Sequence, residues 1–190
     1  KVGTAEDPAI VWVLITHPTL ESFVNVSADL NADPKVQAAG AAYLTTPKSA
    51  PAFDRVDSWV LRAFAGYPRT AVPAFSKSKN PTRIFEMRDY ESHSELKALN
   101  KMAMFDEGET QLMRDLGMSP VFFGQALAGS NLPQLTYMLV YDTEEKKQQA
   151  WKSFLEAPEW AKLKSIEKYK DTVSKIVSTF LVATEASQIR

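Results

Sequence analysis

The sequence predicts an α+β fold built from two successive split β-α-β units, and three features carry the prediction. Residues 83–190 switch between strand-like alternation and helix-like spacing in the order β-α-β-β-α-β. A strand-then-helix pattern near the start recurs near the end at a constant spacing of 124 residues, the distance between Pro34 and Pro158. The composition, 45 % hydrophobic and 24 % charged over 190 residues, is that of a folded chain with a sizeable core.

The first copy opens with Ile10-Val11-Trp12-Val13-Leu14-Ile15, an apolar run far shorter than the roughly 20 residues of a membrane helix, which reads as a buried strand. It leads through Thr16-His17-Pro18 into a helical pattern that reaches Leu30 to Pro34. A further strand is expected within Phe53 to Phe64, carrying Val56, Trp59, Val60 and Leu61. Tyr67 to Thr82 holds Pro68, Pro73 and Pro81 without periodicity and reads as a linker.

The second copy is complete. Arg83 to Tyr90 alternates as a strand does. Ser94 is placed to cap a helix that carries Leu96, Leu99, Met102, Phe105, Leu112 and Leu116 on its apolar side, and Gly117 is placed to end it. Pro120 to Leu127 forms the next strand, Gly129-Ser130-Asn131 the turn, and Leu135 to Asp142 the strand that matches Ile10 to Ile15. A helical pattern reaching Pro158 and a last strand from Ser174 to Ala183 complete the ferredoxin-like order. Three parts follow: an incomplete first repeat over 1–66, a linker over 67–82 and a complete repeat over 83–190. The first repeat lacks its opening strand and helix, so the natural protein is expected to extend upstream by about 40 to 70 residues.

Charge and composition exclude several functions. Lys plus Arg (22) nearly balances Asp plus Glu (23), which gives no field to gather nucleic acid or anionic lipid. Without cysteine there is no disulfide, thiolate nucleophile or cysteine-held metal. The two histidines, His17 and His93, lack a ligand-spaced partner, and each follows a predicted strand where polar side chains cap the next helix. No metal and no cofactor is expected, and no Gly-rich phosphate loop or nucleophile elbow is present.

The segment Ile84-Phe85-Glu86-Met87-Arg88-Asp89-Tyr90 resembles the aromatic-Glu-Leu-Arg-x-Tyr opening of NIPSNAP domains. Pro120 to Gly124, Leu135 to Leu139 and Pro158-Glu159-Trp160 are similar to later segments of that family. The first copy departs from the pattern, with Asp33-Pro34-Lys35-Val36 and no Glu-x-Arg strand. The resemblance implies the dimeric α/β-barrel superfamily, here as a pseudo-dimeric barrel made by tandem repeats within one chain. Relatives of that fold include monooxygenases and lactone isomerases, so the fold decides no chemistry. It also implies an exported bacterial protein or a mitochondrial one.

Alternation sets Glu86, Arg88 and Tyr90 on one face of their strand and Phe85, Met87 and Asp89 on the other. Helices are expected to cover the apolar face, so the polar one looks into the barrel, where Glu86, Arg88, Tyr90, Phe123 and Tyr137 are the candidate ligand-binding residues. An arginine fork beside a carboxylate and a phenol suits an anionic or enolic ligand. The same residues fit a structural network in which Arg88 pairs with Glu86 or a neighbouring strand. The strand aromatics Phe122, Phe123, Tyr137, Tyr141, Trp12 and Trp59 fit either a flat pocket or plain core. Gly124 suggests a bulge, and the Lys/Glu-rich helix around Lys146 to Lys162 suggests a solvated face. Three functions stay open: binding of a small molecule or protein partner without catalysis, a monooxygenase or isomerase using Glu86, Tyr90 or His93, and an assembly subunit or homo-oligomer.

Overall fold

The computed structural model describes residues 10–73, 78, 80 and 82–190. Residues 1–9 and the linker positions 74–77, 79 and 81 lie outside the described residues. The chain divides into two compact units, one of residues 12–58 and one that contains residues 59–190.

In the smaller unit, α1 (Leu20–Ala32) and α2 (Pro34–Leu44) meet at Asp33. Thr19 caps α1 by accepting from the Ser22 amide at 3.1 Å. Asp33 then accepts from the Lys35 amide at 2.7 Å, and Pro34 occupies the first turn of α2, where its missing N–H costs nothing. The strand expected at Ile10 to Ile15 does not form. Those residues pair with no other strand among the described residues, and Val11 and Val13 are over 70 % exposed (71 % and 74 %). A strand is stable only where a neighbour takes up its amides and carbonyls, and apolar sequence does not supply one. The strand expected across Phe53 to Phe64 shrinks to β1 (Val60–Ala63), leaving Phe53 and Val56 exposed.

The larger unit is one antiparallel sheet under helices. Its elements after β1 are β2 (Ile84–Glu91), α3 (Glu95–Met104), α4 (Thr110–Asp115), β3 (Ser119–Ala128), β4 (Gln134–Tyr141), α5 (Glu144–Glu156), α6 (Pro158–Ser165) and β5 (Lys175–Leu181). The spatial order β1-β3-β4-β2-β5 puts β2 and β4 at the centre, so both are shielded. Every residue of β4 is buried, as its unbroken Leu-Thr-Tyr-Met-Leu-Val-Tyr run requires. Residues 84–181 have the β-α-β-β-α-β order expected of them, and β1 adds a fifth strand by pairing with β3.

Local chemistry sets the ends. The Ser94 hydroxyl accepts from the Lys97 amide, and Gly117, at φ +76°, ends α4 in a conformation that a side chain would strain. Between α3 and α4 the helix widens into one π-type turn, Phe105–Glu109. The register of β3 shifts between Pro120 and Phe122 against β4 and between Ala126 and Ala128 against β1, and not at Gly124. Gly124 instead lets β1 approach, since a Cβ there would lie 2.9 Å from that of Leu61. Gly129 serves the same end: at φ +137° it lies where any Cβ would sit 2.2 Å from the Trp59 ring.

Two cores form, one on each face of the sheet. Between sheet and helices, Tyr90, Phe123, Tyr137 and Leu139 meet Met102, Phe105, Met113 and Phe154. On the opposite face, Phe85, Met87, Phe122, Met138 and Val140 pack with Leu61, Leu181 and Ile189. Leu96 and Leu99, expected in the first core, are 66 % and 52 % exposed. Their place on α3 is taken by Ala98, Lys101, Met102 and Met104.

Candidate functional site

Glu86, Arg88 and Tyr90 project from β2 toward the helices, which corrects the expectation that this face turns away from them. The face that the helices leave uncovered carries Phe85 and Met87. Burying the charged face is tolerable because most of its polar atoms find partners within it, Arg88 Nε being left without one. The Glu86 carboxylate, 2 % exposed, accepts from Arg88 Nη1 at 2.7 Å and from the Trp151 indole N–H of α5 at 2.8 Å. Arg88 Nη1 also donates to Ser178 Oγ on β5 at 3.0 Å, and Nη2 reaches the Tyr90 hydroxyl at 3.4 Å. The guanidinium lies 4.5 Å from the Trp151 ring centroid, a cation–π distance. Both open pairings, with Glu86 and with a neighbouring strand, are therefore present at once.

Below this layer the Tyr90 and Tyr137 hydroxyls are 2.9 Å apart. Phe123 stacks on Tyr137 with ring centroids 5.3 Å apart, so all five candidate residues form one continuous cluster. Burial pushes the Tyr137 hydroxyl well above its usual pKa, with the neighbouring Tyr90 adding and Arg88 opposing. Burial likewise raises Tyr141, and the nearby Glu86 charge adds to it. Arg88 is held protonated: burial alone would lower its pKa, but Tyr137, Tyr90 and Glu86 together outweigh it.

A second buried ion pair was not legible in the sequence. Lys101 Nζ of α3 lies 2.5 Å from Glu109 Oε2 in the wide turn, with side chains 5 % and 2 % exposed. The ammonium sits among the rings of Phe105 (4.6 Å), Tyr90 (5.5 Å) and Trp160 (5.5 Å). Burial raises the Glu109 pKa even though Lys101 opposes it.

These groups line a groove of about 710 Å³ between the β2–β5 edge of the sheet and α3, α5 and α6. Glu86, Arg88 and Tyr90 form part of its lining with Lys101 and Glu109, Trp151, Phe154 and Trp160 add aromatic surface, and Ile176 and Phe180 stand half-exposed at the rim. That volume is within the usual range for small-molecule sites. Phe123 and Tyr137 lie beneath and do not line it. Trp151, Trp160 and Ser178 do, although only the aromatic spacing of Trp151 and Phe154 on one helix face hinted at them. His93 is exposed and outside the groove, and His17 bonds Ser22 Oγ at 3.2 Å in the first turn of α1; neither is the cap expected of it, since Thr19 and Ser94 hold the capping positions. Among the described residues no group of acidic or histidine side chains has metal-binding geometry, and no helix is long and apolar enough to cross a membrane.

One substitution tests the ties within the site. Trp151→Phe keeps the ring but removes the donor to a buried carboxylate, so it is expected to cost about 1–3 kcal/mol. Urea unfolding of the two proteins measures this, and equal midpoints would mean that the bond contributes nothing.

Several solved structures share this fold. A NIPSNAP-like domain protein from Burkholderia xenovorans is 17 % identical, with a TM-score of 0.51 over 56 % of this chain and 90 % of that one. A NIPSNAP family protein from Agrobacterium tumefaciens is 18 % identical, with a TM-score of 0.51 over 57 % and 91 %. A second from that bacterium is 11 % identical, with a TM-score of 0.52 over 58 % and 96 %. Among curated proteins, none matches the chain. The NIPSNAP family model matches residues 85–188, from the Glu-Met-Arg strand through β5 and beyond, and with more than half of its length so matched the chain belongs to the NIPSNAP family.

Proposed function

We propose that the protein binds a small molecule in the groove between the sheet and α3, α5 and α6, without catalysing its conversion. The observation that carries this reading is the juxtaposition of an ion pair, buried at Glu86 and partly open at Arg88, with tryptophan walls in an open groove of ligand size. A structural ion pair needs no such access. Catalysis is less well supported, because the acids and bases nominated for it are engaged or remote. Glu86 is bound by both Arg88 and Trp151, and His93 lies outside the groove.

The finer architecture belongs to the same proposal. Helix breaks at Asp33-Pro34 and Ala157-Pro158, each with an extended residue before a proline that opens the next helix, support descent of residues 1–66 and 83–190 from one duplicated unit. A linker over 67–82 and a pseudo-dimeric barrel are what that duplication entails.

The test uses the rim, where substitutions spare the core. Ile176→Asp and Phe180→Asp together are expected to leave the unfolding midpoint nearly unchanged, as these side chains are 48 % and 46 % exposed. Wild-type protein incubated with a cellular metabolite extract should carry an added mass in non-denaturing mass spectrometry, and the double variant should not. An adduct that persists in the variant, or its absence from the wild type, would refute binding in this groove.

A further inference from the structure

The groove also restricts what its occupant is, and this step rests on the reading of it as a binding site. We infer that it takes a planar aromatic molecule with a single negative charge, anchored by that charge on Arg88.

Arg88 has donor capacity left over for a ligand. A guanidinium has five N–H donors, and its Nε–H and one Nη2–H form a fork that matches a carboxylate. Arg88 uses Nη1 on Glu86 and Ser178, whereas Nη2 makes one long bond to Tyr90 and Nε is buried with no acceptor. The edge suited to a carboxylate is thus nearly unused. Because Nε is already stripped of water in the folded protein, an oxygen that reaches this edge gains its bond without a further desolvation penalty on that atom.

A cation finds no equivalent partner. The buried carboxylates are both engaged, Glu86 by Arg88 and Trp151 and Glu109 by Lys101. A dianion is also disfavoured, since the other amines carry their own counter-charges. Lys101 is paired with Glu109 and Lys147 with Glu144 at 2.7 Å, while Lys164 shares the lining with the carboxylate of Asp171. One unmet donor edge in a nearly neutral groove suits one negative charge.

The walls determine the rest of the ligand. Trp151 and Phe154 meet edge to face, Phe154 and Trp160 lie 4.8 Å apart at a tilt, and Phe180 continues the aromatic surface to the rim. Rigid rings offer flat area with little rotamer entropy to lose, which favours a rigid, flat partner over a flexible chain.

Isothermal titration calorimetry with four probes tests this on the full chain: 1-naphthoate, its methyl ester, 1-naphthylmethylammonium and decanoate. Naphthoate is expected to bind at least about tenfold tighter than each of the others, the scale of one charge-assisted bond. Arg88→Lys keeps the charge beside Glu86 but loses the fork, so naphthoate affinity should fall about tenfold or more. Phe180→Ala at the rim should weaken every probe that enters the groove. If the ester or the amine binds as tightly as naphthoate and Phe180→Ala weakens it, the groove is a binding site but the monoanion inference is wrong. Tighter binding of decanoate would overturn the planar part. Probe binding that Phe180→Ala leaves untouched, or no binding at all, would overturn the groove itself. The comparison of the four probes on wild-type protein decides the charge class even if Arg88→Lys fails to fold.

Discussion

Lys101→Met will destabilise the protein by about 3–5 kcal/mol at neutral pH, the scale for stripping the partner from a buried charge. Glu109, 2 % exposed, forms its ion pair with Lys101, and the methionine would fill the space without answering the carboxylate. The loss should depend on pH in a defined direction. Burial already raises the Glu109 pKa in the folded protein, and removing Lys101 takes away the main influence that lowers it. The folded state of the variant then holds a proton that the unfolded chain releases at about pH 4.3. Stability contributed by that proton is fully present below the unfolded value and is lost as pH rises through the folded one. Urea titrations should therefore find the variant closest to wild type near pH 4–5 and furthest from it above pH 7. Adding Glu109→Leu should restore most of the stability, since an apolar pair of similar volume replaces both charges. A loss that does not vary with pH would mean that Glu109 is not the group left stranded.

Phe105→Ala is expected to cost about 3–5 kcal/mol, as large aromatic truncations in tight cores do. Phe105 is fully buried and its ring lies within about 6 Å of four others, those of Phe64, Tyr90, Phe123 and Tyr137. For a chain of this length such a loss lowers the thermal midpoint by about 2–4 °C per kcal/mol. Leu99→Ala, six residues earlier on the exposed side of α3, should change stability by no more than about 0.5 kcal/mol. Comparable losses for the two would mean that the helix is rotated from the orientation described.

That contrast also marks a limit of the sequence. Leu96, Leu99 and Met102 are spaced three apart, and each such step drifts about 60° around a helix, so they spread over about 120° and only Met102 reaches the core. Joining them to Leu112 and Leu116 assumed an uninterrupted helix, whereas the wide turn at Phe105–Glu109 inserts a residue and breaks the phase. Nothing in Phe-Asp-Glu-Gly-Glu announces that turn, and with it went the buried Lys101–Glu109 pair. Strand β2 was legible because its period of two is strict, and β3, β4, β5, the Ser94 cap and the Gly117 stop were legible for similarly local reasons. Alternation separated Glu86, Arg88 and Tyr90 from Phe85 and Met87, but it could not say which face receives the helices. Both faces of β2 are covered in the folded sheet, and which one receives the helices depends on residues remote in sequence, such as Trp151 and Phe154. The run Ile10 to Ile15 misled for the complementary reason, since strand propensity is local whereas pairing is not.

The attachment of β1 to β3 has a practical meaning for anyone who would shorten this protein. The family match begins at residue 85, yet the sheet begins at residue 60. A fragment cut at the family boundary would strip Val60 to Ala63 from β3 and leave that strand's outer amides and carbonyls bare. Raw edges of this kind recruit strands from other molecules, so such a fragment would tend to precipitate. A shortened chain that keeps the β1–β3 hydrogen bonds starts at Trp59 or before it, and the Trp59 ring lies against Gly129 beside the same strand pair.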